Sequence, residues 1–379
     1  MEIKRSNIYV GMVVVVGVLL KMTVEVVGQN LPEAGLFSFG DSSYDVGNKR
    51  FLTNAFLPQT TWPYGKSTDD PNGRFSDGRI IPDFIAQFLK IPIAVPPALK
   101  PDGNFSRGAN FAVADASVLG SPPESMSLSQ QLSKFRKMGL WNDDYLSKSL
   151  FLFYIGTEDY LDFAKKNPSA DSSAQQAFVT SVVSKIKQDL GLFYVNGARK
   201  FAFQTLAPLG CLPIVRQDYK TGDQCYETLN DLAKQHNEKI GPMLDALAKE
   251  NPGFQYTIFD FYHSTTRRII GGLSYRFLNT KNACCGIGSH NAFGCGYPNV
   301  HSNLCDYQRS YLFFDGRHNS EKANEAFAHL FFAADPNVVS PMNLRELVVY
   351  PPNMNMLESY QTPKSAAVSD SVSMGVAAA

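Results

Sequence analysis

The unbroken apolar run Leu150-Phe151-Leu152-Phe153-Tyr154-Ile155 constrains this chain more than any other segment. A strand with one wet face alternates apolar and polar side chains. A run with no polar member needs cover on both faces, as in the middle of a parallel sheet. Leu36-Phe37-Ser38-Phe39, Lys200 to Leu206 and Gln255 to Phe261 read as further strands. Between and after them, 172–194 and 320–333 read as helices, and Leu229, Leu232, Ala233, Ile240, Met243, Leu244 and Leu247 keep an apolar stripe at helical spacing. Such alternation predicts one α/β domain with a mostly parallel central sheet. The 44% of hydrophobic residues is ample for its core.

The ends read differently. Lys4 and Arg5 precede an apolar stretch from Ile8 to Leu20 that is too short to span a bilayer, and Val26-Val27-Gly28 suits cleavage before Gln29. Residues 1–28 are therefore expected to be a signal peptide, 29–350 the domain, and 351–379, rich in Ser, Ala and Val, a disordered tail. Six cysteines, all in the second half, fit disulfides in the secretory pathway, with the final compartment extracellular or a vacuole or ER-derived body; their pairing stays open. Asn104-Phe105-Ser106 is a glycosylation sequon. Basic and acidic residues balance at 35 each, and no basic run stands out, which argues against nucleic acid as the main partner.

Gly40-Asp41-Ser42 leaves the end of the first strand, where open α/β sheets keep their active sites. Far down the chain, Asp315 and His318 offer an acid and a base on one loop. A serine hydroxyl becomes a nucleophile when an imidazole takes its proton, and the imidazole needs a carboxylate to orient it. Asp315 and His318 could instead cap the helix starting near Ser320. Asp45, Gly47 and Asn48 read as supports of the turn. His236 reads as a core residue, and His263, His290, His301 and His329 have no convincing partner. Phe51, Phe56, Trp62 and Tyr64 could line a cleft, with core packing the plainer use. Neither metal nor cofactor is expected.

Several blocks resemble the plant GDSL esterase/lipase family of SGNH-hydrolase fold. They are 39–48 around Ser42, Trp62-Pro63-Tyr64-Gly65, 73–79, Pro208-Leu209-Gly210-Cys211, Ala283-Cys284-Cys285-Gly286 and 314–318. The resemblance implies a flavodoxin-like three-layer sandwich, with Ser42 as nucleophile, His318 as base and Asp315 as its orienter. It also implies an oxyanion hole from the Ser42 N–H, a glycine N–H and an asparagine amide. Here Ala114 and Asp115 replace the glycine-rich block, and Glu158 stands for the asparagine. An ionised Glu only accepts hydrogen bonds, and one lost oxyanion donor costs about 2.7–4 kcal/mol. Unless Glu158 is protonated or turned into a salt bridge, ester hydrolysis should be weak or lost. The wording around Ser42 and Glu158 is most like the myrosinase-associated proteins of mustard-family plants. That likeness implies a binding role in a myrosinase (β-thioglucosidase) complex in glucosinolate defence; the alternative is an active ester hydrolase on an acyl ester or lipid.

Overall fold

The computed structural model describes residues 34–91, 94–352 and 354. The expected leader, and the expected tail apart from 351, 352 and 354, lie outside these described residues.

Five parallel strands form the centre: β1 (Leu36–Gly40), β2 (Gly108–Asn110), β3 (Leu150–Tyr154), β4 (Lys200–Gln204) and β5 (Gln255–Phe259). A sixth, β6 (Val339–Ser340), joins antiparallel to β5, giving the order β6-β5-β4-β3-β1-β2. All residues of β1, β3 and β4 are buried, as the apolar runs require. The core is strongly aromatic. Phe39 stacks on Phe111 at 4.9 Å and on Phe153 at 5.3 Å, and Phe193 meets it edge-on at 4.5 Å.

Helices flank the sheet: α1 (Ile81–Phe88), α2 (Leu128–Met138), α3 (Thr157–Lys166), α4 (Ser172–Val195), α5 (Glu227–Glu250), α6 (Phe261–Ile270), α7 (Glu321–Ala333) and α8 (Leu344–Val349). The long pair α4 and α5 pack together, as do α1 and α7. Polar residues mark their starts. Asp171 accepts the Ala174 N–H at 2.8 Å, and Ser320 accepts the Ala323 N–H at 3.2 Å. Ser320 thus caps α7, and Asp315 and His318 are left for other work.

Two expected strands end early. Thr205 donates its N–H to Phe259, and its hydroxyl accepts the Phe261 N–H at 2.9 Å, while Asp260 caps α6 through the His263 N–H at 3.0 Å. These bonds draw residues 205–206 and 260–261 out of the ladder, and Phe261 opens a helix instead of closing a strand.

The six cysteines pair as Cys211–Cys225, Cys284–Cys305 and Cys285–Cys295, which is consistent with the secretory pathway. The last two bridge a small region outside the main sheet. There Asn279–Ala283 runs parallel to Tyr311–Phe313, and Cys285–Gly286 runs antiparallel to Asn303–Leu304. Among the described residues, no helix is long and apolar enough to cross a membrane.

From β1 the sheet grows one way to β2, and from β3 the other way to β4 and β5. Loops leaving adjacent strands at such a switch point diverge and open a crevice. Ser42 follows β1 and Glu158 follows β3.

Candidate active site

The turn after β1 is held from several sides. Gly40 has φ +152°, and a Cβ there would stand 2.1 Å from the Tyr154 carbonyl oxygen, so only glycine allows β1 and β3 to close up at this point. Gln131 of α2 clamps the same peptide, accepting the Gly40 N–H at 2.9 Å and donating to the Gly40 carbonyl at 2.8 Å. The Asp41 carboxylate accepts the Ser43 N–H at 3.0 Å, and burial raises its pKa to about 7.

The acid-base loop is equally constrained. Asp315 Oδ1 accepts the N–H groups of Arg317 at 2.9 Å and His318 at 2.8 Å, and Tyr64 donates its hydroxyl to Asp315 Oδ2 at 2.9 Å. A Cβ on Gly316 would meet the Ala292 carbonyl oxygen at 2.2 Å. Burial pushes the Asp315 carboxyl upward, yet the His318 charge and the hydrogen bonds outweigh it and hold the group below the usual carboxylate range.

His318 Nδ1 lies 2.8 and 2.9 Å from the two Asp315 oxygens, and its Nε2 lies 2.7 Å from Ser42 Oγ. With the carboxylate holding the proton on Nδ1, Nε2 is left to accept the serine hydroxyl. Phe75 packs on the imidazole with ring centroids 4.8 Å apart. Ser42, Asp315 and His318 are all buried.

Asp45 organises the second block. It accepts N–H groups from Gly47 at 2.7 Å, Asn48 at 2.5 Å, Lys49 at 3.1 Å and Ala114 at 2.9 Å. The Ala114 N–H is thus committed and unavailable to a substrate, contrary to its expected place in the hole. Its neighbour differs. Asp115 has φ +63°, a left-handed conformation that glycine adopts more readily, and its N–H, like that of Ser42, has no acceptor among the described residues. The Asp115 carboxylate turns to Lys49 at 2.8 Å.

Glu158 sits in the first turn of α3, and Arg317 Nη1 contacts its two carboxylate oxygens at 2.9 and 3.2 Å. The pair corrects the expectation of a bare carboxylate aimed at the reacting oxygen. Glu158 still lines the cavity beside Ser42, but its charge is matched.

The remaining expectations sort by place. Asn104 is exposed. His236 is buried, meets the Tyr160 hydroxyl at 2.8 Å and has its pKa lowered by burial to about 3, as suits a core imidazole. His263 does have a partner, Asp260, at 2.8 Å, on the surface. Phe51, Phe56 and Trp62 are exposed rather than packed in the core, because their segment runs outside the sheet layers; Trp62 is 58% accessible. Tyr64 is the exception, buried with its hydroxyl on Asp315. Sequence reasoning read Tyr64 as cleft lining or core packing, not as a donor to Asp315, and assigned no role to Gln131 or Arg317. Tyr64 and Arg317 fall within blocks already singled out, and nothing marked Gln131.

Residues 36–331 match the family of GDSL-like lipases and acylhydrolases. The chain belongs to that family. Within it, this GDSL protein is 62% identical over 356 residues to "Inactive GDSL esterase/lipase-like protein 23" of Arabidopsis thaliana, covering 92% of each chain. It is 60% identical over 371 residues to "GDSL esterase/lipase ESM1" of the same plant, covering 94% of each, and 60% identical over 362 residues to "GDSL esterase/lipase 22", covering 94% of this chain and 93% of that one. A relative named inactive and relatives named esterase/lipase lie within two per cent identity of one another, so the names do not settle turnover.

Proposed function

We propose that this GDSL protein is a slow carboxylic ester hydrolase working through an acyl-Ser42 intermediate. One observation carries the reading: the continuous chain from Asp315 through His318 to Ser42 Oγ, with Nε2 at 2.7 Å from the nucleophile. In the first step Ser42 Oγ attacks the ester carbonyl carbon as its proton passes to His318 Nε2. The tetrahedral oxyanion collapses, and the leaving alkoxide takes the proton from the imidazolium. Water, activated by the same imidazole, then attacks the acyl carbon and releases the acid, restoring Ser42. The Ser42 and Asp115 N–H groups serve the oxyanion. Position 158 itself offers no neutral amide to the hole, and a slow rate is expected relative to a site that keeps the asparagine.

The pit beneath Ser42, lined by Ile80, Leu209, Leu212, Phe261 and Phe313, is only about 30 Å³. That supports a short acyl group. The test compares p-nitrophenyl acetate with the octanoate ester, using the mature protein beside Ser42→Ala. Hydrolysis well above the variant's, and faster on acetate, is expected. Equal rates in folded samples would remove the ester-hydrolase reading, and a preference for octanoate would remove the short acyl group.

A second reading is favoured by the apolar rim, where Phe293 and Tyr297 line the cleft mouth and Phe56 approaches Tyr297 at 6.4 Å. Aromatic rims of this kind suit a protein partner, and we take a plant β-thioglucosidase complex as the candidate. Co-elution with such an enzyme in size-exclusion chromatography is expected. Separate elution at micromolar concentrations would dismiss it.

A further inference from the structure

Acyl transfer through Ser42 places negative charge on the substrate carbonyl oxygen, and that charge needs donors held in position beforehand. The Ser42 and Asp115 N–H groups are two such donors. Two cations that meet carboxylates lining the cleft are differently employed. Lys49 is spent: its ammonium donates to Asp115 Oδ2 at 2.8 Å and to the Glu124 carbonyl at 2.7 Å. Arg317 is not. Only its Nη1 is engaged, by Glu158, and its Nη2 and Nε have no acceptor among the described residues.

The Arg317 guanidinium is also tied down. Its backbone N–H donates to Asp315 Oδ1 at 2.9 Å, fixing its Cα in the acid-base loop, and its far end is held by the first turn of α3. The side chain therefore bridges the loop that carries His318 and the helix that follows β3. It remains 41% accessible, and like Ser42 it lines both the small pit and a second, open cleft of about 400 Å³. A planar guanidinium presents donors on several edges, so one edge can be anchored while another faces a ligand.

We propose that Arg317 supplies the third oxyanion donor of this site, with Glu158 as the positioning residue that holds its fork toward Ser42. The inference rests on the ester-hydrolase reading above. Arg317 forms no covalent bond and keeps its proton; it stabilises the oxyanion by a charge-assisted hydrogen bond that strengthens as the carbonyl oxygen gains charge. On this view Glu158 is no mere defect. Its carboxylate anchors the replacement for the donor that position lacks.

Steady-state hydrolysis of p-nitrophenyl acetate, a neutral ester, tests the assignment with Arg317→Met, Glu158→Met (which removes the charge and adds no donor) and the double variant, each with its Tm recorded. Losing the donor should lower kcat on the order of 100-fold with KM nearly unchanged. The double variant should stay as slow as Arg317→Met. If Arg317 served only to neutralise Glu158, the double variant would rise above Arg317→Met to the Glu158→Met rate, and that recovery overturns the donor role. A loss confined to KM overturns it too, since it would place Arg317 in ground-state binding. In both cases the wild type still exceeds Ser42→Ala, so the ester-hydrolase reading survives. A wild type no faster than Ser42→Ala removes that reading and the donor role together.

Discussion

Three carboxyl groups around Ser42 meet their charge in different ways. Asp315 is held low by His318 and a set of donors, and Glu158 is paired with Arg317. Asp41 is met by the Ser43 N–H and the Thr157 hydroxyl, but burial outweighs them and takes its pKa to about 7. In the unfolded chain an Asp releases its proton near pH ~3.9. Between these values the folded form binds the extra proton, so the Asp41 contribution to stability falls as pH rises from about 4 to 7. Asp41→Asn removes that dependence. Its stability relative to wild type should improve by about 1–4 kcal/mol between pH 4 and pH 8. Urea midpoints at both pH values give the measurement, and an unchanged difference would mean that Asp41 ionises normally in the fold.

The residues of the site were unevenly readable. Ser42, Asp315 and His318 stand out because nucleophile, base and acid need those residue types and the latter two sit on one loop. Tyr64 and Arg317 were invisible as functional groups, since their roles depend on a hydroxyl and a guanidinium arriving from elsewhere. Tyr64 reaches Asp315 across 251 residues and Arg317 reaches Glu158 across 159. No local pattern encodes such meetings.

The turn between β1 and the second block shows how elements are locked in register. Asn48 is fully buried; its amide donates to the carbonyls of Asn110 at 2.8 Å and Ala112 at 2.9 Å, and its Oδ1 accepts the Leu99 N–H at 3.0 Å. A single side chain thereby ties the turn carrying Ser42 to the end of β2. The Asn110 carbonyl would keep the Ala98 N–H, but Asn48→Ala would take the partner from the Ala112 carbonyl and the Leu99 N–H and should cost about 3 kcal/mol, read as a lower urea midpoint at unchanged m-value. A midpoint within error of wild type would show that water replaces the amide. The strands and long helices themselves were foreseeable, because apolar runs and 3.6-residue stripes are local signals. Their ends were less so. At Thr205 and Asp260 side chains capture backbone N–H groups and stop the strands before their apolar runs finish.

Across the molecule, the disulfide region and the catalytic loop form one packed unit. Cys284, Cys285 and Cys295 share a buried cluster with Tyr64 and Phe314, and Cys285 donates its N–H to the Phe314 carbonyl at 2.7 Å. Phe314 directly precedes Asp315, so the bridges support the acid that orients His318. Replacing Cys285 and Cys295 together by Ala opens a short loop and should lower stability by about 2–3 kcal/mol. If the cluster holds the acid loop, labelling of Ser42 by a neutral fluorophosphonate should also slow at temperatures where the variant is still folded. A lower Tm with unchanged labelling would make the bridge purely a stabiliser.

The sequence by itself determined the α/β class and the parallel sheet and singled out the three residues that the fold brings together, since burial pattern and reaction chemistry both act through residue type and short spacing. Tertiary structure alone decided which cysteines pair, that the Ala114 N–H is taken by Asp45, and that Glu158 faces a guanidinium. Those outcomes depend on distances between groups far apart in the chain. Hydrogen bonds and ion pairs form or are lost within a few ångströms, and only the folded packing sets those distances.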